Sequence, residues 1–375
     1  MTSQAPHNIS LKLTPKVRLW IVGGPVAGVR FALVIQRGSL ARRYGQTTSR
    51  SYAVESQSMK ASKGEIGFAE ALRNGDRKRL VTFPKADRHC HSLFGASLNS
   101  IAARAGNPLK PPPSRMADLD EMRAYAHAEL YAYIRNRAGI EFTAETTIKE
   151  AIQDGVTILE MSVDVDFVQL YESGTKGFLD FVKGLKHNCS DDIDFRPELG
   201  ISKNRDPSPQ INLAMACIES GVFSSIDLYG NENAQQPEAY VDLFRHARRH
   251  GLKLKAHVGE FGDSVLVERT LRVLELEEIQ HGVAVASSQP LMDSIKGKGI
   301  RLNVCPSSNV ALSVVKSLQH HPIQKLARSG IRVTINSDDK TIFGKTVTDE
   351  YLGLFQAGTL TAEELDAIRM ESLSR

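Results

Sequence analysis

Lys85-Ala86-Asp87-Arg88-His89-Cys90-His91 reads as a short strand that ends in two histidines at alternate positions. On a strand, residues two apart point to the same side. If this strand is the first of a closed barrel, that side faces the pore, where two imidazole nitrogens can approach one metal ion. The plainer alternative is a pair of histidines satisfied by neighbours or solvent. The sequence that follows decides between them.

From residue 80 onward, short β-branched or apolar runs alternate with longer amphipathic stretches, the pattern of parallel βα units. The runs are 85–91, 156–164, 194–203, 223–229, 252–260, 278–282, 300–305 and 332–338. Between them lie helical patterns such as 122–138, 240–250, 265–276 and 323–329, and one more, 64–74, precedes the first run. Eight strands with intervening helices over about 290 residues predict an α/β fold, the (β/α)8 or TIM barrel. A doubly wound open sheet would need a glycine-rich phosphate loop after the first strand, and there is none.

Barrel enzymes carry their chemistry at the carboxyl ends of the strands. Here the first run ends in His89-Cys90-His91 and the fifth in His257-Val258-Gly259-Glu260. The sixth ends in His281-Gly282 and the eighth in Ser337-Asp338-Asp339. His257 can add a third nitrogen ligand, with Glu260 just beyond it as an acid or as a helix cap. Two adjacent carboxylates at a strand end point in opposite directions, so one of Asp338 and Asp339 can bind metal while the other faces a substrate. The alternative for that pair is an N-cap. His281 can shuttle a proton near neutral pH. Three histidines and one aspartate form a zinc-like set with room for water. The spare His, Glu and Asp supply acid and base groups.

Composition fits a globular enzyme, with 41% hydrophobic and 24% charged residues, and argues against disorder or coiled coil. The four cysteines, Cys90, Cys189, Cys217 and Cys305, form no CxxC pair, which points to a reducing compartment and a cytoplasmic protein. The net charge of +4 is unevenly placed: residues 1–60 hold nine Lys/Arg and one acid, leaving the body at −4. Charge therefore gives no reason to expect nucleic-acid binding by the body. The apolar stretch 19–35 is broken by Gly23-Gly24-Pro25 and Arg30, so neither a membrane span nor a secretory signal is expected. Residues 1–60 are read as a basic extension outside the 61–375 barrel domain. Organelle targeting by residues 1–58, a loosely attached extension, and a true start at Met59 are three readings, of which the last two are favoured. Loss of activity on deleting residues 1–58 would count against both.

With these residues in hand, the chain resembles the adenosine/AMP deaminase family of metal-dependent hydrolases over about residues 65–375. The resemblance rests on the first-strand motif from Pro84 to His91, Ile226-Asp227-Leu228-Tyr229-Gly230-Asn231-Glu232, His257-Val258-Gly259-Glu260 and Ile279-Gln280-His281-Gly282. Asn303-Val304-Cys305-Pro306-Ser307-Ser308-Asn309, His321-Pro322-Ile323 and Ser337-Asp338-Asp339 complete it, in family order. It implies one Zn2+ held by His89, His91, His257 and Asp338, and a purine as small-molecule partner. Glu260 then donates to purine N1, and His281 orients and assists the attacking water. Asp339 bonds that water or N7, the Gly230 amide meets N3, and His91 also borders the substrate. The implied reaction is hydrolytic removal of a 6-amino group, giving the 6-oxopurine and ammonia.

The chain also departs from the pattern. Adenosine-specific members read His-x-His-Leu-(Asp/Glu)-Gly, whereas this chain reads His89-Cys90-His91-Ser92-Leu93-Phe94-Gly95, without the sugar-binding acid. Phe94 or Ser92 is expected in the sugar region. Lys340 follows the aspartates in place of the usual Pro, and Glu160-Met161-Ser162-Val163-Asp164 replaces an Arg-containing segment. An adenosine-like compound is the leading substrate, with adenine, AMP or an N6-modified nucleoside or nucleotide as alternatives. Lys340 and Lys203 are read as phosphate contacts or, more commonly, as solvent-facing lysines. A cyclic-amide hydrolase on the same barrel would use a modified lysine on the fourth strand, and 223–229 has no Lys. A cysteine-ligated deaminase needs P-C-x-x-C, which is absent. A non-catalytic barrel would have no need to keep the whole set.

Overall fold

Each of the eight runs forms a parallel strand in the computed structural model, which describes residues 12–14, 17–18 and 67–374. The strands are β1 (Lys85–His91), β2 (Val156–Asp164), β3 (Asp194–Ser202) and β4 (Ser225–Tyr229). They continue as β5 (Lys253–Val258), β6 (Glu278–His281), β7 (Arg301–Val304) and β8 (Arg332–Ile335). Each pairs with its sequence neighbour. The ring closes through a bridge between Cys90 and Asp338. There the Asp338 amide donates to the His89 carbonyl at 3.1 Å, and the Arg88 amide donates to Oδ1 of Asn336 at 2.8 Å. The architecture is the (β/α)8 barrel. No described helix is long and apolar enough to cross a membrane.

Strand periodicity sorts the side chains into two layers. Leu159, Met161, Val163, Ile226, Leu228, Leu254, Ala256, Ile279, Leu302 and Val304 are buried and belong to the apolar core. Alternating with them are buried polar residues that bond across the barrel interior. Lys255 of β5 meets Glu160 of β2 and Glu198 of β3, and lies 3.5 Å from Glu278 of β6. Burial works against the Lys255 charge, but the three carboxylates outweigh it and raise its pKa. The lower barrel is thus filled by ion pairs rather than by the branched apolar layers usual in this fold. Removing one partner from such a network leaves an uncompensated buried charge.

The expected helix 122–138 is interrupted. Helices Leu119–Glu129, Tyr131–Ile134 and Arg137–Gln153 replace it. Arg135 leaves helical geometry at φ −96, ψ 44, and the Asn136 side chain caps a new helix by accepting from the Gly139 amide. A side chain at Gly139 would sit 2.6 Å from the carbonyls of Tyr133 and Ile134, so this tight break needs glycine. Helices Val241–Arg249, Ser264–Leu274 and Ile323–Arg328 match their predicted patterns. Of the pattern at 64–74, Phe68–Arg73 is helical, and its first residues lie outside the described ones. The chain divides after Lys60. In the first unit, Lys12–Thr14 pairs antiparallel with Val17–Arg18. The remainder of the 1–60 extension lies outside the described residues.

Candidate active site

Chain geometry delivers the candidate residues to one end of the barrel. His89 and His91 lie at the end of β1, His257 lies in β5, and His281 is the last residue of β6. Gly230 follows β4, Glu260 comes two residues after β5, and Asp338-Asp339 lie just beyond β8. All but His89 line one cavity of about 690 Å3. Two of these positions have left-handed backbone without being glycine: His281 at φ 62 and Asp338 at φ 55. Such strain persists only where the surroundings enforce it, and functional sites are where it gathers. At Asp338 it breaks the strand alternation assumed for the aspartate pair, so Asp338 and Asp339 line the same cavity.

His89 lies beneath the cavity floor. It has no exposed surface, and neither ring nitrogen has a hydrogen-bond partner. One ligand atom from each of His89, His91 and His257 lies within 4.8 Å of the others. Oδ1 of Asp338 stands 3.5 Å from Nε2 of His89 and 3.8 Å from Nε2 of His91. Ligand atoms of a tetrahedral zinc ion stand about 3.4 Å apart, given bond lengths of about 2.0–2.1 Å. The orphaned nitrogens and these separations fit a divalent cation. Burial, then the neighbouring imidazoles, lowers the pKa of His89 and His91, leaving neutral rings with lone pairs to donate.

A second group of residues steadies the first. Nδ1 of His257 lies 3.1 Å from Oδ1 of Asp227, which leaves Nε2 for the cavity. Burial pushes the Asp227 carboxyl up, and the charge and hydrogen bond of His257 outweigh it, holding it at about 2. Glu232 accepts from the amides of Gly259, Glu260 and Phe261 at 2.7, 2.9 and 2.8 Å, pinning the turn that carries Glu260. Asn309 donates to Oε1 of Glu260 at 3.1 Å. Burial, then the charge of Asp338, raises the pKa of Glu260 well above the carboxylate range, so the neutral acid is favoured. Burial and Asp338 act in the same direction on Asp339, whose Oδ1 is buried without a partner. Asp227, Glu232 and Asn309 all lie in motifs visible in the sequence, but nothing in their spacing announces what they touch.

The outer cavity corrects several expectations. Phe94 does line it, stacked on Tyr131 at 6.2 Å, whereas Ser92 is buried with its amide donating to Ser162. Lys340 and Lys203 are neither solvent-facing nor free for phosphate. Lys340 is paired with Glu150, and Lys203 donates to the Glu232 carbonyl. At Gly230, φ is 103 and a Cβ would meet the Asn204 side chain at 2.4 Å, so the backbone here requires glycine.

A barrel with a histidine–aspartate cluster at the carboxyl ends of its strands defines the class of metal-dependent hydrolases. Comparison with known proteins narrows the class. A model of the adenosine deaminase family matches residues 116–375. A Treponema pallidum (strain Nichols) protein with the provisional name adenosine/adenine deaminase is 34% identical over 289 residues, 76% of this chain and 97% of its own. Among solved structures, adenine deaminase from Arthrobacter aurescens superposes with a TM-score of 0.65 at 21% identity, covering 78% of this chain and 94% of that one. An amidohydrolase from Burkholderia ambifaria with bound zinc gives 0.65 at 20% identity, covering 82% and 88%. At such identities the structures establish the fold. The chain belongs to the adenosine deaminase family. It is a hydrolase acting on a C–N bond of a cyclic amidine, and it deaminates adenine-type compounds.

Proposed function

We propose that His89, His91, His257 and Asp338 hold one zinc ion per chain, and that the substrate is an adenine joined to a further group, as in adenosine. When bound, such an ion supplies the positive charge that makes a water molecule nucleophilic near neutral pH. The buried, neutral Glu260 carboxylic acid is suited to give its proton to purine N1, making C6 electrophilic. His281 holds a proton near Asp338, with its Nε2 at 3.8 Å from Oδ2, and orients the incoming water. The unpartnered Oδ1 of Asp339 is suited to accept from that water, or to bond N7 if Asp339 donates. The Gly230 amide is assigned to N3, and His91 borders both ion and substrate. The water oxygen bonds to C6 and the C6–N bond breaks; one of the water's two protons leaves with the amino group as ammonia, and the other replaces the proton that Glu260 gave to N1.

The observation that carries this reading is the buried three-histidine cluster beside Asp338, on the floor of a cavity larger than a purine base needs. Its test is ammonia release from adenine, adenosine, 2′-deoxyadenosine, AMP and N6-methyl forms, together with zinc content. Glu260→Gln should retain zinc and lose nearly all turnover. Near wild-type turnover in that variant would overturn the role of Glu260. Residues 61–375 are proposed as the catalytic unit, so a chain lacking residues 1–58 should remain active. Four buried, unpaired cysteines support a cytoplasmic setting, with targeting by residues 1–58 as the alternative.

A further inference from the structure

His321 and Asn309 do not line the cavity, yet their hydrogen bonds decide which way two cavity residues present their protons. Both are buried, His321 at 2% exposure and Asn309 at 0%. The Ile323 amide donates to Nδ1 of His321 at 3.1 Å. A ring nitrogen that accepts from an amide carries no hydrogen, so the neutral imidazole has its proton on Nε2. Burial holds the pKa of His321 at about 3, which keeps the ring neutral at working pH.

Nε2 of His321 meets Oδ1 of Asn309 at 3.2 Å. A donor must face the carbonyl end of that amide, so the NH2 group is turned the other way. There Nδ2 lies 3.1 Å from Oε1 of Glu260 and 3.2 Å from Nδ1 of His281. These two atoms are 3.4 Å apart and share the one amide as a donor. Two consequences follow. Oε1 of Glu260 is an acceptor, so the proton of the neutral acid sits on Oε2. Nδ1 of His281 is also an acceptor, so its proton sits on Nε2, the nitrogen near Asp338. Without the amide, Glu260 could turn its proton onto His281 instead of toward a substrate.

We propose that His321 is a positioning residue for deamination, acting from outside the cavity through Asn309, whose fixed amide sets the carboxyl rotamer of Glu260 and the tautomer of His281. This rests on the roles proposed above for those two residues, and Glu260→Gln tests those roles separately.

The experiment measures kcat and KM by ammonia release on adenosine, or on adenine if that is the better substrate, with zinc content and thermal midpoint for every variant. His321→Phe keeps a ring and removes the donor. It should lower kcat about 10–100-fold, part of the ~10²–10⁴-fold that acid–base groups supply, with KM within about 3-fold and zinc content unchanged. His321→Gln, which restores a donor at similar reach, should recover most of the loss. Because His321 acts through Asn309, His321→Phe combined with Asn309→Leu should be no slower than Asn309→Leu alone. A His321→Phe enzyme that is less stable but turns over within about 2-fold of wild type overturns the proposal. So do multiplying losses in the double variant. If His321→Phe does not fold, His321→Asn, whose amide is too short to reach, takes its place against His321→Gln.

Discussion

Nδ1 of His257 stands 3.1 Å from Oδ1 of Asp227, a carboxylate with no exposed surface. This contact fixes the imidazole with Nε2 toward the cavity and raises its electron-donating strength, as carboxylates behind metal-ligating histidines do. Asp227→Asn retains the shape and removes the charge. It should weaken zinc binding about 10–100-fold, measured by competition with a chelator, and leave the fold intact. Unchanged metal affinity would show that Asp227 serves packing alone.

The Lys340–Glu150 pair ties the segment after the aspartates to the helix Arg137–Gln153 that leads into β2. Their side chains are only 10% and 17% exposed. Glu150 also accepts from the Ser97 amide and from the Ser97 and Ser100 hydroxyls at 2.9, 2.8 and 2.6 Å. Beside it, the Thr341 amide donates to the Phe94 carbonyl at 2.7 Å. Lys340→Met should cost about 3 kcal/mol in denaturant unfolding, because it strands a buried carboxylate. Adding Glu150→Gln should recover most of that. If the two losses instead add, the pair is not the relevant unit.

These residues show what sequence can and cannot give. All eight strands were readable, and so was the gathering of the eight candidate residues at one end of the barrel, because strand alternation and strand-end positions are local. The helix break at Arg135-Asn136 was not read, although Asn136 is a good capping residue, since the apolar pattern runs on through it. The burial of Lys340 and Lys203 was not readable. A lysine's burial depends on whether a carboxylate or carbonyl arrives from elsewhere, and Glu150 lies 190 positions away from Lys340. For the same reason, the ionic barrel interior around Lys255 and the Glu232 and Asn309 contacts required three dimensions.

Glu350 makes a prediction about pH. It is 1% exposed and accepts from the Ser307 amide at 3.2 and 3.3 Å. Burial, partly offset by that bond, pushes its carboxyl from 4.5 up to about 8. Between those values the folded protein binds a proton that the unfolded chain has released. Stability from this group is therefore fully present below about 4.5 and is lost as pH rises through about 8. Glu350→Gln cannot titrate. Its Tm relative to wild type should improve steadily from about pH 5 to about pH 9. A difference that stays flat over that range would place the proton elsewhere.

The last prediction concerns what lies beyond the base. Three arginines line the outer cavity, and two of them are occupied: Arg205 with Asp166 at 2.5 Å, and Arg123 with Asp120 at 3.0 Å. Among the described residues, Arg135 has no carboxylate within ion-pair distance, and its guanidinium lies 4.9 Å over the Tyr131 ring. That ring also stacks on Phe94, so a group attached to the purine would pass an aromatic wall and meet a guanidinium held in no close ion pair among the described residues. A charge-assisted contact at an exposed mouth is worth roughly one factor of ten. Arg135→Ala should therefore reduce kcat/KM for AMP about 10-fold relative to adenosine and leave adenine unchanged. An equal fall for all three would place Arg135 among residues that shape the cavity as a whole. A fall for adenine alone would mean that the base does not bind at the histidine floor, because Arg135 would then have to touch the base itself.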